Sequence, residues 1–145
     1  MAETIQNYEN HTRWHPPFHF FLAPLLLLNF IFAAVQLFRF RDLDHAWWLV
    51  LAVGLIVLGA LARMNALRVQ DRLIRLEEQV RYQQILPQPL AQSATGLRLS
   101  QILALRFASD GELPGLVQQV IDGNLLKGDD IKRAVKDWRA DNLRV

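Results

Sequence analysis

The chain has 145 residues, enough for one domain, and contains no cysteine. The missing thiols exclude disulfide bonds, thiolate catalysis, iron–sulfur clusters and zinc held by cysteine. The formal net charge of +2 gives little support to nucleic-acid binding, which usually needs a concentrated basic surface. Charged side chains are unevenly distributed, with seven in residues 1–62 and twenty-three in residues 63–145. This division predicts a membrane-embedded half joined to a soluble half, and it excludes intrinsic disorder.

Two uncharged segments in the first half are long enough to cross a bilayer as helices. Residues 18–38 give 21 positions and residues 46–62 give 17, against the roughly 20 that span the hydrocarbon core. Trp47 and Trp48 begin the second segment, where indole rings favour the headgroup layer. A buried hairpin in a soluble protein is the alternative for both segments, although few other residues remain to cover it. A cleaved signal peptide is the alternative for the first, but residues 1–12 contain no basic side chain.

The connection between the two spans, residues 39–45, is short, so the spans form an antiparallel hairpin with both termini on one side. Two basic residues, Arg39 and Arg41, lie in this connection. Five lie on the other side of the membrane, namely Arg13, Arg63, Arg68, Arg72 and Arg75. Because cytoplasmic segments carry an excess of Lys and Arg, this count predicts that both termini lie in the cytoplasm.

The second span is predicted to continue beyond the membrane as part of one helix from about residue 46 to residue 84. Residues 63–86 contain no Gly or Pro and are rich in strong helix formers, so they form the expected cytosolic extension. Two acid-to-base pairs at i,i+4 support an exposed helix: Asp71 with Arg75, and Glu77 with Arg81.

Small and apolar residues recur along this helix at alternating steps of three and four, which is the heptad repeat of a coiled coil. They form a seam that consists of Ala52, Leu55, Gly59, Ala62, Ala66, Val69, Leu73, Leu76 and Val80. The membrane half of the seam is mostly small, which allows close helix packing, and the cytosolic half is Val and Leu. Two interpretations remain open. Either the first span and the C-terminal helices cover the two halves of the seam, or a second copy packs along it as a parallel homodimer.

The remaining residues are predicted to form a small bundle of three short helices. Pro87 and Pro89 end the long helix, and residues 87–96 are expected to be a linker. Three helix starts follow from N-cap patterns: Ser100 for residues 100–108, Ser109 with Glu112 as a capping box, and Asp129 or Asp130. Gly123 and Asn124 are predicted to end the second helix. The last helix is expected to carry one apolar face made of Ile131, Ala134, Val135 and Trp138.

A basic cluster on the last helix makes a membrane-tethered regulator that binds nucleic acid an alternative function. The cluster consists of Lys132, Arg133, Lys136 and Arg139, with Asp129, Asp130, Asp137 and Asp141 around it. Because phosphate-binding surfaces are rarely diluted by this many carboxylates, we expect no nucleic-acid binding. Anionic lipid headgroups are another possible contact of the same side chains.

Three histidines offer candidate ligands for a metal or haem. His11, His15 and His19 are four residues apart, a spacing that places ligands on one face of a continuous helix. Pro16 and Pro17 interrupt that helix, so only one pair can share a face, and interfacial packing is the alternative. We therefore expect no cofactor and no metal, with an accessory haem or metal subunit as a further alternative function.

The sequence does not predict an enzyme. It has no glycine-rich phosphate loop, nucleophile elbow or pair of carboxylates in a fixed frame. Asn29 and Gln36 in the first span are polar but not ionisable, and such amides usually form hydrogen bonds between helices. The spans carry no ionisable residue near mid-membrane, which argues against a proton or ion pathway.

Four stretches of the chain have distinctive sequences: QNYENHTR at 6–13, LRVQDRLIRLEE at 67–78, LRFASD at 105–110 and DWRADNLRV at 137–145. Together they make the chain resemble a family of small bacterial membrane proteins of unknown function with two predicted spans. The resemblance covers essentially the whole chain. It implies no activity, cofactor or catalytic residue, so no site is transferred from it.

The sequence thus predicts an all-α protein with a transmembrane hairpin, a long second helix that extends into the cytosol, and a C-terminal helical bundle. The expected segments are 1–17 at the interface, 18–38 and 46–62 in the membrane, 39–45 outside, 63–86 as helical extension, 87–96 as linker and 97–145 as bundle. The predicted function is a non-enzymatic scaffold or accessory interaction protein, in contact with the bilayer and with a second copy or a larger membrane complex. The residues predicted to dock a partner are Arg106, Phe107, Asp110, Trp138, Arg139 and Arg144, with bundle core as the alternative for Phe107 and Trp138.

Overall fold

The computed structural model describes residues 6–10 and 14–141. These residues form no strand and six α-helices: α1 (Ala23–Phe40), α2 (Leu43–Ile85), α3 (Gln88–Ala94), α4 (Leu99–Leu105), α5 (Leu113–Ile121) and α6 (Gly128–Ala134). Two long apolar helices are followed by four short ones, which confirms the predicted all-α class. The chain divides into two compact units, a hairpin unit of residues 14–68 and a bundle unit that joins residues 6–10 to residues 69–141.

The first apolar helix begins with a wider turn than an α-helix has. A π-helical turn at Pro17–Leu22 leads directly into α1, and the N–H of Ala23 donates to the carbonyl oxygen of Phe18, five residues back. Pro24 has no N–H, and in a regular α-helix its ring would collide with the carbonyl group one turn before it. The wider turn accommodates this proline at the start of α1.

A two-residue turn joins α1 to α2, so the predicted seven-residue connection at 39–45 is wrong. Arg41 adopts a left-handed conformation with φ of 53° and ends α1. Asp42 then caps α2, because its carboxylate accepts a hydrogen bond from the backbone N–H of His45 at 2.8 Å. This bond holds the pKa of Asp42 below its usual range. The His45 ring stacks on Phe40 at 4.8 Å and thereby links the two helix ends.

The two helices of the hairpin unit touch through small residues. Ala33 of α1 and Ala52 of α2 are buried. A Cβ atom placed on Gly59 would lie 3.1 Å from the Leu26 side chain, so α1 packs closely against this glycine. Most of the large apolar side chains on both helices are exposed in the described structure.

A cleft of about 410 Å³ lies between the same helices. Asn29 and Gln36 both line this cleft, together with His45 and Trp48. Neither amide side chain makes a hydrogen bond within the described residues, so the predicted hydrogen bonds between the spans are not formed there.

The long second helix is confirmed, because α2 runs without a break from Leu43 to Ile85. Its end coincides with the predicted stop, since the extended Pro87 cannot continue an α-helix. The expected linker at residues 87–96 is wrong, because α3 occupies most of it. Ala91 and Ala94 of α3 are buried in the core of the bundle unit, which is why this short helix is stable there.

The residues that cap the short helices lie two or three positions away from the predicted caps. Arg98 rather than Ser100 precedes α4, and its backbone N–H donates to the Gln101 side chain at 2.9 Å. Lys127 rather than an aspartate precedes α6. Glu112 precedes α5, and its carboxylate accepts hydrogen bonds from the backbone N–H groups of residues 136 and 137 instead of forming a capping box. Both bonds cross the bundle unit, which a local sequence pattern does not reveal.

The end of α5 agrees with the prediction, whereas α6 is shorter than expected. Gly123 has φ of 81° directly after α5, which is the left-handed conformation that ends many helices. The last helix stops at Ala134, and Val135 is extended. Trp138 therefore lies outside the helix, where it forms an isolated antiparallel bridge with Ala108.

One hydrophobic core holds the bundle unit together. It combines the end of α2 with α3 to α6 and contains Tyr82, Leu86, Ala91, Ala94, Leu97, Ile102, Ala104, Leu105, Ala108, Leu113, Leu116, Val117, Val120, Ile131 and Val135. Gly128 allows α6 to approach α4, because a Cβ atom there would lie 3.1 Å from the backbone oxygen of Ser100. The predicted bundle of three helices thus contains a fourth, α3, and is completed by α2.

Gly59→Leu should destabilise the hairpin unit, whereas Gly54→Leu in the same helix should not. A side chain at position 59 meets Leu26, while a Cβ atom at position 54 has no neighbour within 4 Å. Both changes gain the same helix propensity, so overpacking of about 1–3 kcal/mol distinguishes them. Heating the full-length protein in mild detergent and following its circular dichroism measures the difference. Equal midpoints for the two variants would contradict the close packing at Gly59.

Candidate interaction site on the long helix

The part of α2 within the bundle unit has one covered face and one exposed face. The covered face carries Ile74, Glu78, Arg81 and Tyr82, all of which are buried. Their spacing of four, three and one residues keeps them on one side of the helix. The predicted seam lies on the other side of the helix.

Arg81 is the main polar link between α2 and the rest of the bundle unit. Its guanidinium donates to Glu78 at 3.1 Å and to the backbone oxygen of Ala108 at 2.7 Å. It also donates twice to one oxygen of Asp110, at 2.9 and 2.6 Å. Arg139 donates to the second oxygen of Glu78 at 3.2 Å. Two arginines therefore join α2 to the segments that follow α4 and α6.

Burial sets the ionisation of the two acidic groups on this face. Burial raises the pKa of Glu78 above its usual range, although the nearby guanidinium groups of Arg81, Arg139 and Arg106 lower it in part. Burial also raises the pKa of the Tyr82 hydroxyl. That hydroxyl has no hydrogen-bond partner within the described residues.

The predicted i,i+4 ion pairs on α2 are not formed. Arg81 uses its guanidinium on Glu78 and Asp110 rather than on Glu77. No ion pair joins Asp71 to Arg75 either, within the part of the chain that the structure describes. The tertiary contacts of Arg81 thus replace the local pairing that the sequence favours, and the Glu77 carboxylate stays exposed.

The predicted docking residues lie close together, apart from Arg144, which is outside the described residues. Arg106 places its guanidinium 4.2 Å from the ring centre of Phe107, and the Phe107 ring lies 4.9 Å from that of Trp138. The Trp138 indole donates to the backbone oxygen of residue 135 at 3.1 Å. Arg106 pairs with Asp141 at 2.9 Å.

Most of these docking candidates have contacts inside the bundle unit. Phe107 is buried, which agrees with the alternative that it belongs to the core, and Trp138 is packed against that core. Asp110 and Arg139 remain exposed at a groove of about 800 Å³, which they line together with Glu77, Arg81 and Asp137. This mixture of carboxylates and guanidinium groups suits a polar protein surface better than a polyanion. Docking of a partner here stays a prediction.

The opposite face of α2 carries an exposed apolar stripe, made of Val69, Leu73, Leu76 and Val80. These side chains are 66%, 54%, 59% and 48% exposed. They are the second half of the predicted seam. The expectation that the C-terminal helices cover this half of the seam is therefore wrong, because they pack against Tyr82 and Leu86 on the other side of α2.

The first half of the seam lies in the hairpin unit, where α1 covers part of it. Ala52 is buried, and Gly59 contacts Leu26 as described above. Leu55 is partly exposed, and Ala62 and Ala66 are exposed. Ala52 and Gly59 thus serve packing within the chain, whereas the stripe of Val69, Leu73, Leu76 and Val80 is uncovered.

The N-terminal residues of the bundle unit contact its C-terminal end, which the sequence did not indicate. The Gln6 side chain accepts a hydrogen bond from the backbone N–H of Asp141 at 2.8 Å, and Gln6 is buried. The Arg133 guanidinium lies 5.3 Å from the ring centre of Tyr8. These contacts bring the two ends of the described chain together.

The candidate histidine ligands and the basic cluster, which belong to the two alternative functions, also make local contacts. The ring of His19 hydrogen-bonds to the backbone of His15, and His11 is outside the described residues. No group of three or more His, Asp or Glu side chains suits a metal within the described residues. In the basic cluster, Lys132 pairs with Asp129 at 3.7 Å.

These features define a helical protein in which an apolar hairpin is joined by one long helix to a compact, charge-linked bundle. The chain belongs to a family of unknown function (DUF6526), whose model matches residues 1–145. This confirms the resemblance to a family of unknown function. No curated protein and no solved structure matches the chain.

Arg81→Met should destabilise the bundle unit by about 3 kcal/mol, because it leaves the buried Glu78 with one guanidinium partner fewer. Arg75→Met is the matched control, since Arg75 is exposed on the same helix and exposed substitutions usually change stability by less than about 0.5 kcal/mol. Urea unfolding of the full-length protein in mild detergent, followed by circular dichroism, gives both values. Equal stability of the two variants would show that the Arg81 contacts do not hold α2 to the bundle.

Proposed function

We propose that the protein is a non-enzymatic, multi-pass protein of the bacterial inner membrane that presents a helix-binding surface in the cytoplasm. The observation that carries the proposal is the exposed stripe of Val69, Leu73, Leu76 and Val80 on α2. Three arguments support it: the apolar surface of the hairpin, the contact between the chain ends, and the position of the stripe opposite the bundle.

The hairpin unit supports membrane insertion through the surface it exposes. Both Pro17–Phe40 and Leu43–Ile85 contain a stretch long and apolar enough to cross a bilayer. Only 6% and 11% of those stretches are buried within the protein, whereas the core helix of a soluble protein would be mostly buried. Contiguous apolar surface of this extent is rare on soluble proteins and is stable in lipid.

Two observations support a cytoplasmic position for both ends. The hydrogen bond between Gln6 and Asp141 supports a position of both ends of the described chain on one side of the membrane. Five arginines flank the spans on that side, against Arg39 and Arg41 in the turn. The positive-inside rule then assigns the ends to the cytoplasm.

Single cysteines at Asp44 and Asn124 should therefore react from opposite sides of the membrane. The chain has no cysteine of its own, so each substitution gives one thiol. In intact cells without an outer membrane, an impermeant maleimide should label the Asp44→Cys variant and not the Asn124→Cys variant. Permeabilised cells should label both, which controls for thiol exposure. Labelling of both variants in intact cells would contradict the hairpin, and the reverse pattern would contradict its orientation.

The exposed stripe supports the binding of a helix. Its spacing of four, three and four residues makes it a narrow apolar strip of the kind that packs against one other helix. Each Val or Leu that leaves water contributes about 1–2 kcal/mol, so a soluble surface gains by covering all four. The bundle covers the opposite face of α2 and therefore leaves the exposed stripe accessible.

Leu73→Glu should abolish the assembly of the protein, and Leu126→Glu should not. Leu126 is a matched control because it is 61% exposed, against 54% for Leu73, and lies in a connection between helices. Purification in mild detergent, with mass measured by light scattering, should give a complex heavier than the monomer for wild type and Leu126→Glu. Leu73→Glu should give the monomer. A monomeric wild-type protein, or an assembly that Leu73→Glu leaves intact, would overturn the proposal.

A further inference from the structure

The charged residues beside the exposed stripe indicate what binds to it. In a heptad repeat with Leu73 and Val80 at position a and Val69 and Leu76 at position d, Arg72 occupies position g and Glu77 occupies position e. In a parallel two-stranded coiled coil, position g of one helix lies beside position e of its partner five residues further along. Arg72 of one copy then faces Glu77 of a second copy. The symmetry of the dimer forms this pair twice.

The pairs at the neighbouring g and e positions are compatible with the same parallel dimer. The preceding g residue, Asn65, faces Gln70, and the following one, Gln79, faces Gln84. No like charges meet between Asn65 and Gln84. A shift by one heptad would place Arg72 against Gln70 or Gln84 and lose the ion pairs, so the charges specify the register as well as the partner.

The structure leaves both charged side chains available. Arg72 and Glu77 are exposed, and neither forms an ion pair within the described residues. Arg81, the local partner that the sequence offers to Glu77, is bound to Glu78 and Asp110. The contacts that attach α2 to the bundle thus release the Glu77 carboxylate for a partner on the exposed face.

We infer that the occupant of the stripe is a second copy of this chain, packed in parallel with Arg72 of each copy paired to Glu77 of the other. The inference rests on the proposed function, because insertion in one membrane gives all copies the same direction. Confinement to that membrane also raises the effective concentration of α2, which helps a contact of only two heptads to form. Ion pairs at this position add specificity against other helices in the membrane.

Charge reversal tests the pairing directly. Arg72→Glu alone places two carboxylates together, and Glu77→Arg alone places two guanidinium groups together, so each variant should dimerise about tenfold more weakly than wild type. A mixture of the two variants should form a heterodimer with wild-type affinity, because every pair is again opposite in charge. The double variant Arg72→Glu with Glu77→Arg should also dimerise normally. Co-purification of differently tagged full-length copies from one membrane measures all four combinations.

Arg75→Glu provides the control, since Arg75 is exposed but lies outside positions e and g. It should dimerise like wild type.

If the single reversals dimerise normally while Leu73→Glu is monomeric, the ion pair is wrong and the stripe remains an interface. If both single variants are weak and the mixture does not recover, the parallel register is wrong. If the complex lost in Leu73→Glu contains a different protein and one copy of this chain, the stripe binds that protein and the inference is overturned. If Leu73→Glu changes nothing, the proposed function fails with it.

Discussion

The guanidinium group of Arg81 determines which side of the long helix is covered. It binds Glu78 on its own helix, and Asp110 and the Ala108 carbonyl beyond α4, so one face of α2 is fixed to the bundle. Ile74 and Tyr82 are buried on that face, and the stripe is exposed on the opposite face. A buried arginine requires this number of acceptors, because an unpaired charge away from water is costly. The accessible stripe is thus a consequence of where one side chain finds its partners.

The long helix α2 could be predicted from the sequence because its signals are local and numerous. The absence of Gly and Pro, the heptad spacing and the stop at Pro87 all belong to one segment, and α2 follows them from Leu43 to Ile85. The covered face also had a signal, since Ile74, Glu78, Tyr82 and Leu86 are four residues apart and lie on one side. The heptad repeat that contains Leu73 and Leu76 is the stronger of the two patterns, because it continues over the length of the helix. Two patterns on one helix indicate two neighbours, and the described residues supply only the neighbour of the covered face.

Features that depend on distant residues were not predictable in the same way. Ser109 and Glu112 match a capping box, yet the Glu112 carboxylate bonds to the backbone at residues 136 and 137 because the fold brings those N–H groups to it. Helix α3 has only seven residues and two prolines around its start, so its stability comes from burial of Ala91 and Ala94. Arg81 was expected to pair with Glu77 one turn away and instead pairs with Asp110. In each case a tertiary contact outcompetes a local preference, which is about 1 kcal/mol for an N-cap and a few tenths of a kcal/mol for an i,i+4 ion pair.

The contact between the N-terminal arm and the end of the bundle has a consequence for how the protein is made. Gln6 and Asp141, which share a hydrogen bond, are separated by 135 positions in the chain. The ribosome completes residues 14–68 long before it reaches residue 141, so the apolar hairpin can form while the arm still lacks its binding site. The arm docks only when synthesis has passed Asp141. Its docking is therefore a late event in the folding of the bundle unit.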